Sequence, residues 1–255
     1  MVSRELLQEI LQSSREDISK AGIKEREISI EDNHASEAVL AKGVRRCGKT
    51  FLTYEIAKKY DCPYINFEDE RLIGFSAPDF AKLLEAAGGI FPATKIFIFD
   101  EVQNAQAWEK FVARLYGKCK FYITGSSSYF TKHISPLTGR HVEKDVLPLS
   151  FREYLSFHSH GELQWKTSEM RDELFGHFSR YSQNGGLPKV ALSNSTDLLK
   201  EYFRDIVSRD LIKHSKVDRV DALERMAYYL LGNAGAKTSY RSLAESCGLR
   251  HELTA

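Results

Sequence analysis

The sequence predicts an α/β fold built on a doubly wound parallel sheet, with a helical second half. Two observations carry that expectation. Four short apolar runs, at 37–42, 64–67, 95–100 and 120–125, have the length and composition of strands buried on both faces. Helical stretches at 51–60, 78–88 and 107–117 separate them, and alternating strand and helix is the pattern of a parallel sheet with crossovers. After a fifth candidate strand at 141–147 only helical patterns occur, at 151–157, 172–181, 198–212 and 222–232, broken by Gly-Gly-Leu-Pro at 185–188. Ahead of the sheet, Leu6, Leu7, Ile10 and Leu11 have i, i+3, i+4 spacing and predict a short amphipathic helix. The expected organisation is an N-terminal helical extension at 1–36, a core at 37–150, a helical lid at 151–218 and an incomplete helix-turn-helix or winged-helix region at 219–255.

Bulk properties bound what the chain does. Its 255 residues amount to one or two domains at roughly 150 residues each. With 42% hydrophobic and 28% charged residues it is an ordinary globular sequence, which excludes disordered and collagenous classes. Lys plus Arg number 36 against 35 Asp plus Glu, so no global charge draws it to nucleic acid or lipid, and any such binding must be local. The region 199–225 repeats that balance and forms no basic stripe. Cys47, Cys62, Cys119 and Cys247 are far apart and form no zinc spacing or disulfide framework. His158 and His160 lack further ligands nearby. Neither a signal peptide nor an apolar run of about 20 residues occurs, so the expected location is the cytoplasm, with no membrane partner.

The strongest motif is Gly43-Val44-Arg45-Arg46-Cys47-Gly48-Lys49-Thr50, which fits G-x-x-x-x-G-K-[ST] and sits between a strand and a helix. Glycines let backbone N–H groups approach phosphates, Lys49 reaches the β- and γ-phosphates, and Thr50 offers a hydroxyl to Mg²⁺. Residues Gly43 through Phe51 are therefore the candidate nucleotide-binding segment. Cys47, beside Lys49 and near a helix start, is expected to favour thiolate. A second sign is the apolar strand ending in Asp100 and Glu101, which puts two carboxylates at the sheet edge that carries the loop. One acid can order the metal and the next can activate water. Thr124, Ser126 and Ser127 end another strand about twenty residues later, where hydroxyls can sense a γ-phosphate.

The ordered set GVRRCGKT, NFEDERL, KIFIFDEVQ, YITGSSS, LTGRHVEKDVLPLSFREYL and GGLP resembles a widespread archaeal and bacterial family of AAA-type P-loop ATPases. That family is related to the signal-transduction ATPases with numerous domains, the STAND group. The resemblance implies a P-loop NTPase three-layer sandwich with strand order 5-1-4-3-2, a helical lid and a winged-helix start. It makes Asp100 the Walker B metal residue and Glu101 the catalytic glutamate; with Lys49 on the phosphates and Thr50 on the metal, Thr124 or Ser126 is the expected γ-phosphate sensor. It makes Arg140 a charge stabiliser for the γ-phosphate, in its own subunit or a neighbour's; the alternative is an arginine paired with Glu143. Arg45 and Arg46 match the family's loop arginines and either retain triphosphate or pair with nearby acids. Pro188 matches a Gly-x-Pro element that meets the nucleotide in related ATPases; locally it is a helix start after a glycine stop. The resemblance also implies that the chain is truncated at its C-terminus, since family members continue beyond the winged helix.

These readings converge on an Mg²⁺-dependent domain that binds and hydrolyses ATP and converts turnover into a conformational change, with oligomerisation open. The alternative is a nucleotide-gated switch with little turnover that presents its helical half to DNA or a protein. A third possibility is a remnant unstable without its lost part. No Asn/Thr-Lys-x-Asp motif selects guanine.

Overall fold

The computed structural model describes residues 2–32, 36–125, 130, 135–158, 167–207 and 220–248. The chain divides into two compact units, Met1–Thr196 and Asp197–Ala255.

The first unit is organised by five parallel strands: β1 (Ala38–Lys42), β2 (Tyr64–Asn66), β3 (Ile96–Asp100), β4 (Lys120–Gly125) and β5 (His141–Asp145). They lie in the order β2-β3-β4-β1-β5, which is the expected order 5-1-4-3-2 read from the other edge. The runs predicted as strands are apolar at successive positions because both faces are covered. On one face Leu40, Ile65, Phe97, Phe99, Phe121 and Ile123 pack with residues of α1 (Arg4–Lys20), α3 (Asp79–Ile90) and α4 (Trp108–Arg114). On the other, Val39, Ala41, Tyr64, Ile98 and Tyr122 meet Leu52 and Ile56 of α2 (Lys49–Tyr60).

The N-terminal helix is longer than the apolar spacing predicts, because Ser3 caps it by accepting the Leu6 N–H at 3.1 Å and it runs 17 residues. Leu7, Ile10 and Leu11 join the larger core and Ile18 joins the core on the opposite face. The helix packs on α3 and on β2, covering an edge strand that would otherwise be open. At the opposite edge, β5 is tied to its neighbour β1 by charge as well as by its ladder, with Lys42 Nζ 2.6 Å from Glu143 and 3.6 Å from Asp145.

After the sheet come α5 (Phe151–Phe157), α6 (Ser168–Asn184) and α7 (Pro188–Ser193), around a small core of Leu149, Tyr154, Leu155, Phe157, Leu174 and Ala191. Ser150 and Glu153 form a capping box that starts α5. Gly186 is required by close approach: a Cβ there would collide with the Leu149 carbonyl oxygen, and the Gly186 carbonyl accepts the Leu149 N–H at 2.7 Å. His158 is a structural residue, its Nε2 3.1 Å from the Ala191 carbonyl oxygen; His160 lies outside the described residues.

The second unit holds α9 (Val220–Gly232) and α10 (Tyr240–Cys247), and α8 (Thr196–Asp205) spans the boundary. Phe203 packs on Tyr228 at 5.0 Å, and Arg225 donates to Asp221 and to the Cys247 carbonyl. Gly248, at φ +65°, closes α10. The second helix of the expected helix-turn-helix falls at residues outside those described. No helix among the described residues is long and apolar enough to cross a membrane.

A buried ion pair ties the stretch between α1 and β1 to the rest of the first unit. Arg26 Nε donates to Glu153 at 2.6 Å with both side chains under 5% exposed. Burial pushes the Glu153 carboxyl up, and the Arg26 bonds and the Ser150 N–H outweigh it, so the group sits below the usual glutamate range. Removing one partner of such a pair strands a buried charge, so Arg26→Met is expected to cost about 3–5 kcal/mol in urea unfolding. A loss under about 1 kcal/mol, the value of an exposed pair, would contradict this. Because the folded pKa of Glu153 is lowered, its contribution is present above the ordinary glutamate range and is lost as pH falls through the lowered value. In Glu153→Gln that part of the acid dependence of stability disappears.

Candidate functional site

The loop from Gly43 to Gly48 leaves the C-terminal end of β1 and turns directly into α2. Gly43 has no alternative: a Cβ would collide with the Val146 carbonyl oxygen, because Val146 N–H donates to the Lys42 carbonyl at 2.7 Å and draws the two chain segments together. Gly48 stands at φ +100°, a left-handed conformation, and gives α2 no side-chain cap. The first N–H groups of α2 are thus left for an anion. Arg46 also takes a positive φ of 67°. Lys49 is buried and folds back on the loop, donating to the Gly43 and Val44 carbonyls at 3.0 and 3.1 Å. Val44 and Phe51 are exposed, and Arg45 pairs with Glu68 at 3.3 Å.

The two carboxylates lie at the same sheet edge. Asp100 is 1% exposed, and its charge is matched by hydroxyls from three elements. Thr50 of α2 donates to Oδ2 at 2.9 Å, Tyr64 of β2 donates to Oδ2 at 2.6 Å, and Thr124 of β4 donates to Oδ1. Thr124 in turn accepts the Glu101 N–H at 3.0 Å, which fixes the backbone of the second acid. Glu101 sits at φ +50°, a conformation uncommon for a residue with a Cβ. Its carboxyl is raised, mainly by burial; Gln103, whose amide donates to it, opposes the shift, and Asp100 adds to it. A raised carboxyl is a stronger base than an exposed one.

A cleft of about 620 Å³ opens beside the loop, lined by Gly48, Lys49, Thr50, Phe51 and Glu101. Its other wall comes from Lys24, Phe157, Pro188 and Leu192. That size lies within the range of small-molecule sites. Pro188, the first residue of α7, comes within 3.6 Å of where a Gly48 Cβ would stand, so the Gly-x-Pro element and the loop face each other.

Several expectations need correction or relocation. Cys47 is fully buried and its thiol is pushed up, chiefly by burial, against the lowering effect of Lys49; the thiolate expectation fails because desolvation wins. Arg140 immediately precedes β5, and β5 runs parallel to β1 with His141 opposite Ala38. It therefore lies at the sheet edge opposite the loop, separated by a strand length of roughly 16 Å. There its guanidinium sits 5.5 Å over the Tyr116 ring, and Glu143 pairs with Lys42 instead. Within one chain the structure does not bring Arg140 to the loop. Ser126 and Ser127 lie outside the described residues.

Three neighbours of the site carry no sequence motif. Arg26 donates to the Cys47 carbonyl at 3.1 Å and to the Leu147 carbonyl at 3.1 Å, linking the loop to the chain leading into α5. Lys24 donates to the Phe157 carbonyl. Tyr64 reads as a strand core residue, and nothing in its local sequence announces the bond to Asp100.

Known proteins share parts of this chain. Residues 35–155 match the family model of an AAA domain, and residues 176–254 match that of a domain of unknown function, DUF8612. An uncharacterized protein of Methanocaldococcus jannaschii is 31% identical over 255 residues, which cover 96% of this chain and 57% of that protein. One from Haemophilus influenzae is 29% identical over 210 residues, covering 76% of this chain and 50% of its own length. The chain thus spans about half the length of the curated relatives it matches. Among solved structures, a Thermotoga maritima RuvB mutant overlaps with a TM-score of 0.40 and 14% identity, covering 99% of this chain and 85% of that one. The Thermotoga maritima RuvB Holliday junction branch migration motor gives 0.36 and 14%, covering 97% and 81%. The loop, Asp100, Glu101 and Thr124 all fall inside the span that is similar to an AAA domain.

Proposed function

We propose that the first unit binds and hydrolyses ATP with Mg²⁺ and that turnover drives a conformational change. The observation that supports this reading best is the convergence of Thr50, Asp100 and Glu101 beside a loop whose backbone is open to phosphate. These residues fit the group they would receive: a metal-ordering carboxylate already bonded to the hydroxyl that would share the metal, and a lysine on the adjacent loop. Thr50 and Asp100 would hold Mg²⁺, which supplies charge neutralisation at the phosphates when bound. Lys49 would leave the Gly43 and Val44 carbonyls for phosphate oxygens. Glu101 would take a proton from the attacking water, and Thr124 would keep both acids in register. Pro188 and Phe51 would line the nucleotide's flank, and the strap from Arg26 would carry a change at the loop to the helices after the sheet. Arg140 would act on a neighbouring subunit's nucleotide, a reading that the opposite-edge placement favours over action in cis.

A second reading has an observation of its own. Gln103 donates to the Glu101 carboxylate, and an enzyme whose base is so held would turn over slowly, as a nucleotide-gated switch.

Single-turnover hydrolysis of labelled ATP separates these readings. The expected result is that Lys49→Ala loses binding, whereas Glu101→Gln keeps binding and loses turnover by about 10²-fold or more, the low end for a positioned base. Tight binding without turnover in the wild type would favour the switch, and wild-type turnover in Glu101→Gln would remove that residue from the chemistry. Because the Glu101 carboxyl is raised, the acid limb of the wild-type rate should lie above the ordinary glutamate range, activity rising with pH as the group deprotonates. A pH–rate profile whose acid limb falls in the ordinary range would contradict that assignment.

A further inference from the structure

The carboxylate of Asp100 receives three hydroxyls, and two of them have an evident part in nucleotide chemistry. Thr50 lies on the phosphate loop's helix, and Thr124 is bonded to the backbone of Glu101. The third donor, Tyr64, has neither connection. It opens β2, is 5% exposed, and does not line the cleft that holds Lys49, Thr50 and Glu101. Its ring stands edge-on to Tyr54 at 5.1 Å, and its hydroxyl makes the 2.6 Å bond to Oδ2, the same oxygen that Thr50 addresses at 2.9 Å.

An ionised carboxylate has about four lone-pair sites, and three are occupied here, two of them on Oδ2. Thr50 is the one donor that the proposed metal would also engage. When Thr50 adjusts to a cation, the orientation of Oδ2 depends on the donor that does not move with the loop. Tyr64 is that donor: it is anchored in a strand pairing with β3, Tyr64 opposite Ile98, and buried on the face of the sheet that α2 covers. Its phenol O–H donates to that carboxylate oxygen. A hydrogen bond to an ionised acceptor is among the stronger kinds.

We infer that Tyr64 is a positioning residue for Mg²⁺, holding the Asp100 carboxylate in the orientation in which it would receive the metal. The inference rests on the nucleotide-binding reading above and deepens it. It distinguishes Tyr64 from a merely structural phenol, because its effect should appear only when the metal is present.

The test is a titration of the full chain with a fluorescent ATP analogue, in excess Mg²⁺ and again in EDTA, for the wild type and for Tyr64→Phe. Phe keeps the ring and its packing and removes one oxygen. The expected result is unchanged affinity in EDTA and a gain in affinity on adding Mg²⁺ that is about 10-fold smaller than in the wild type, the usual scale for losing a group that orients a metal ligand. An equal Mg²⁺ gain in Tyr64→Phe and wild type would overturn the inference while leaving ATP binding intact. A variant that loses affinity equally with and without Mg²⁺, or no longer melts cooperatively, would assign the bond to folding and overturn it as well. No binding by the wild type in either condition would overturn the nucleotide reading, and this inference with it.

Discussion

A carboxylate buried to 1% exposure inside a parallel sheet is the constraint on which the site depends. An ionised acid so placed is tolerated only when hydrogen-bonded on several sides. For Asp100 the donors are Thr50, Tyr64 and Thr124, from α2, β2 and β4. Only a sheet in which β3 lies between β2 and β4, with α2 returning over it, gathers those hydroxyls at one point. Strand order, the entry of α2 from the phosphate loop and the apolar faces of β2 to β4 can thus be read as requirements of one charge. The same arrangement places Glu101 one residue beyond, where the chain leaves the sheet in a left-handed turn and its carboxyl meets the cleft.

A second constraint joins the loop to the helices beyond the sheet. The Arg26 guanidinium is divided among the Cys47 carbonyl in the loop, the Leu147 carbonyl after β5 and the Glu153 carboxylate that begins α5. Under the proposed function, these are the segments through which a change at the loop would reach the helices. A planar, permanently charged fork is suited to such a junction because it can hold several acceptors in fixed directions. The first helix adds to this by covering the β2 edge, so the stretch before the sheet is built into the unit.

How much of this was legible in the sequence depends on how local each signal is. The strands were readable because burial on both faces leaves continuous apolar runs, and the loop because glycines at fixed positions have few substitutes: at Gly43 the Val146 carbonyl leaves no room for a Cβ. Asp100 and Glu101 were readable as acids at a strand end. Arg26 was not, because it lies in a run of mixed charge that resembles any solvated surface, and its partner is 127 residues away. Tyr64 was hidden differently, since an aromatic residue at the start of a strand is ordinary core. The thiolate expected at Cys47 took account of nearby charge, while its burial depends on chain segments that meet only in three dimensions. Arg140 was readable as a motif, yet its place relative to the loop needed the direction of β5 beside β1.

The proposed function makes the first unit a nucleotide site completed by a metal at Thr50 and Asp100. It is tested most directly by calorimetric titration of the full chain with ATP in the presence of Mg²⁺, repeated with Asp100→Asn. One nucleotide is expected to bind per chain in the wild type, with affinity that weakens in Asp100→Asn only when Mg²⁺ is present. Absence of heat in the wild type, or Mg²⁺-dependent affinity unaffected by Asp100→Asn, would contradict it.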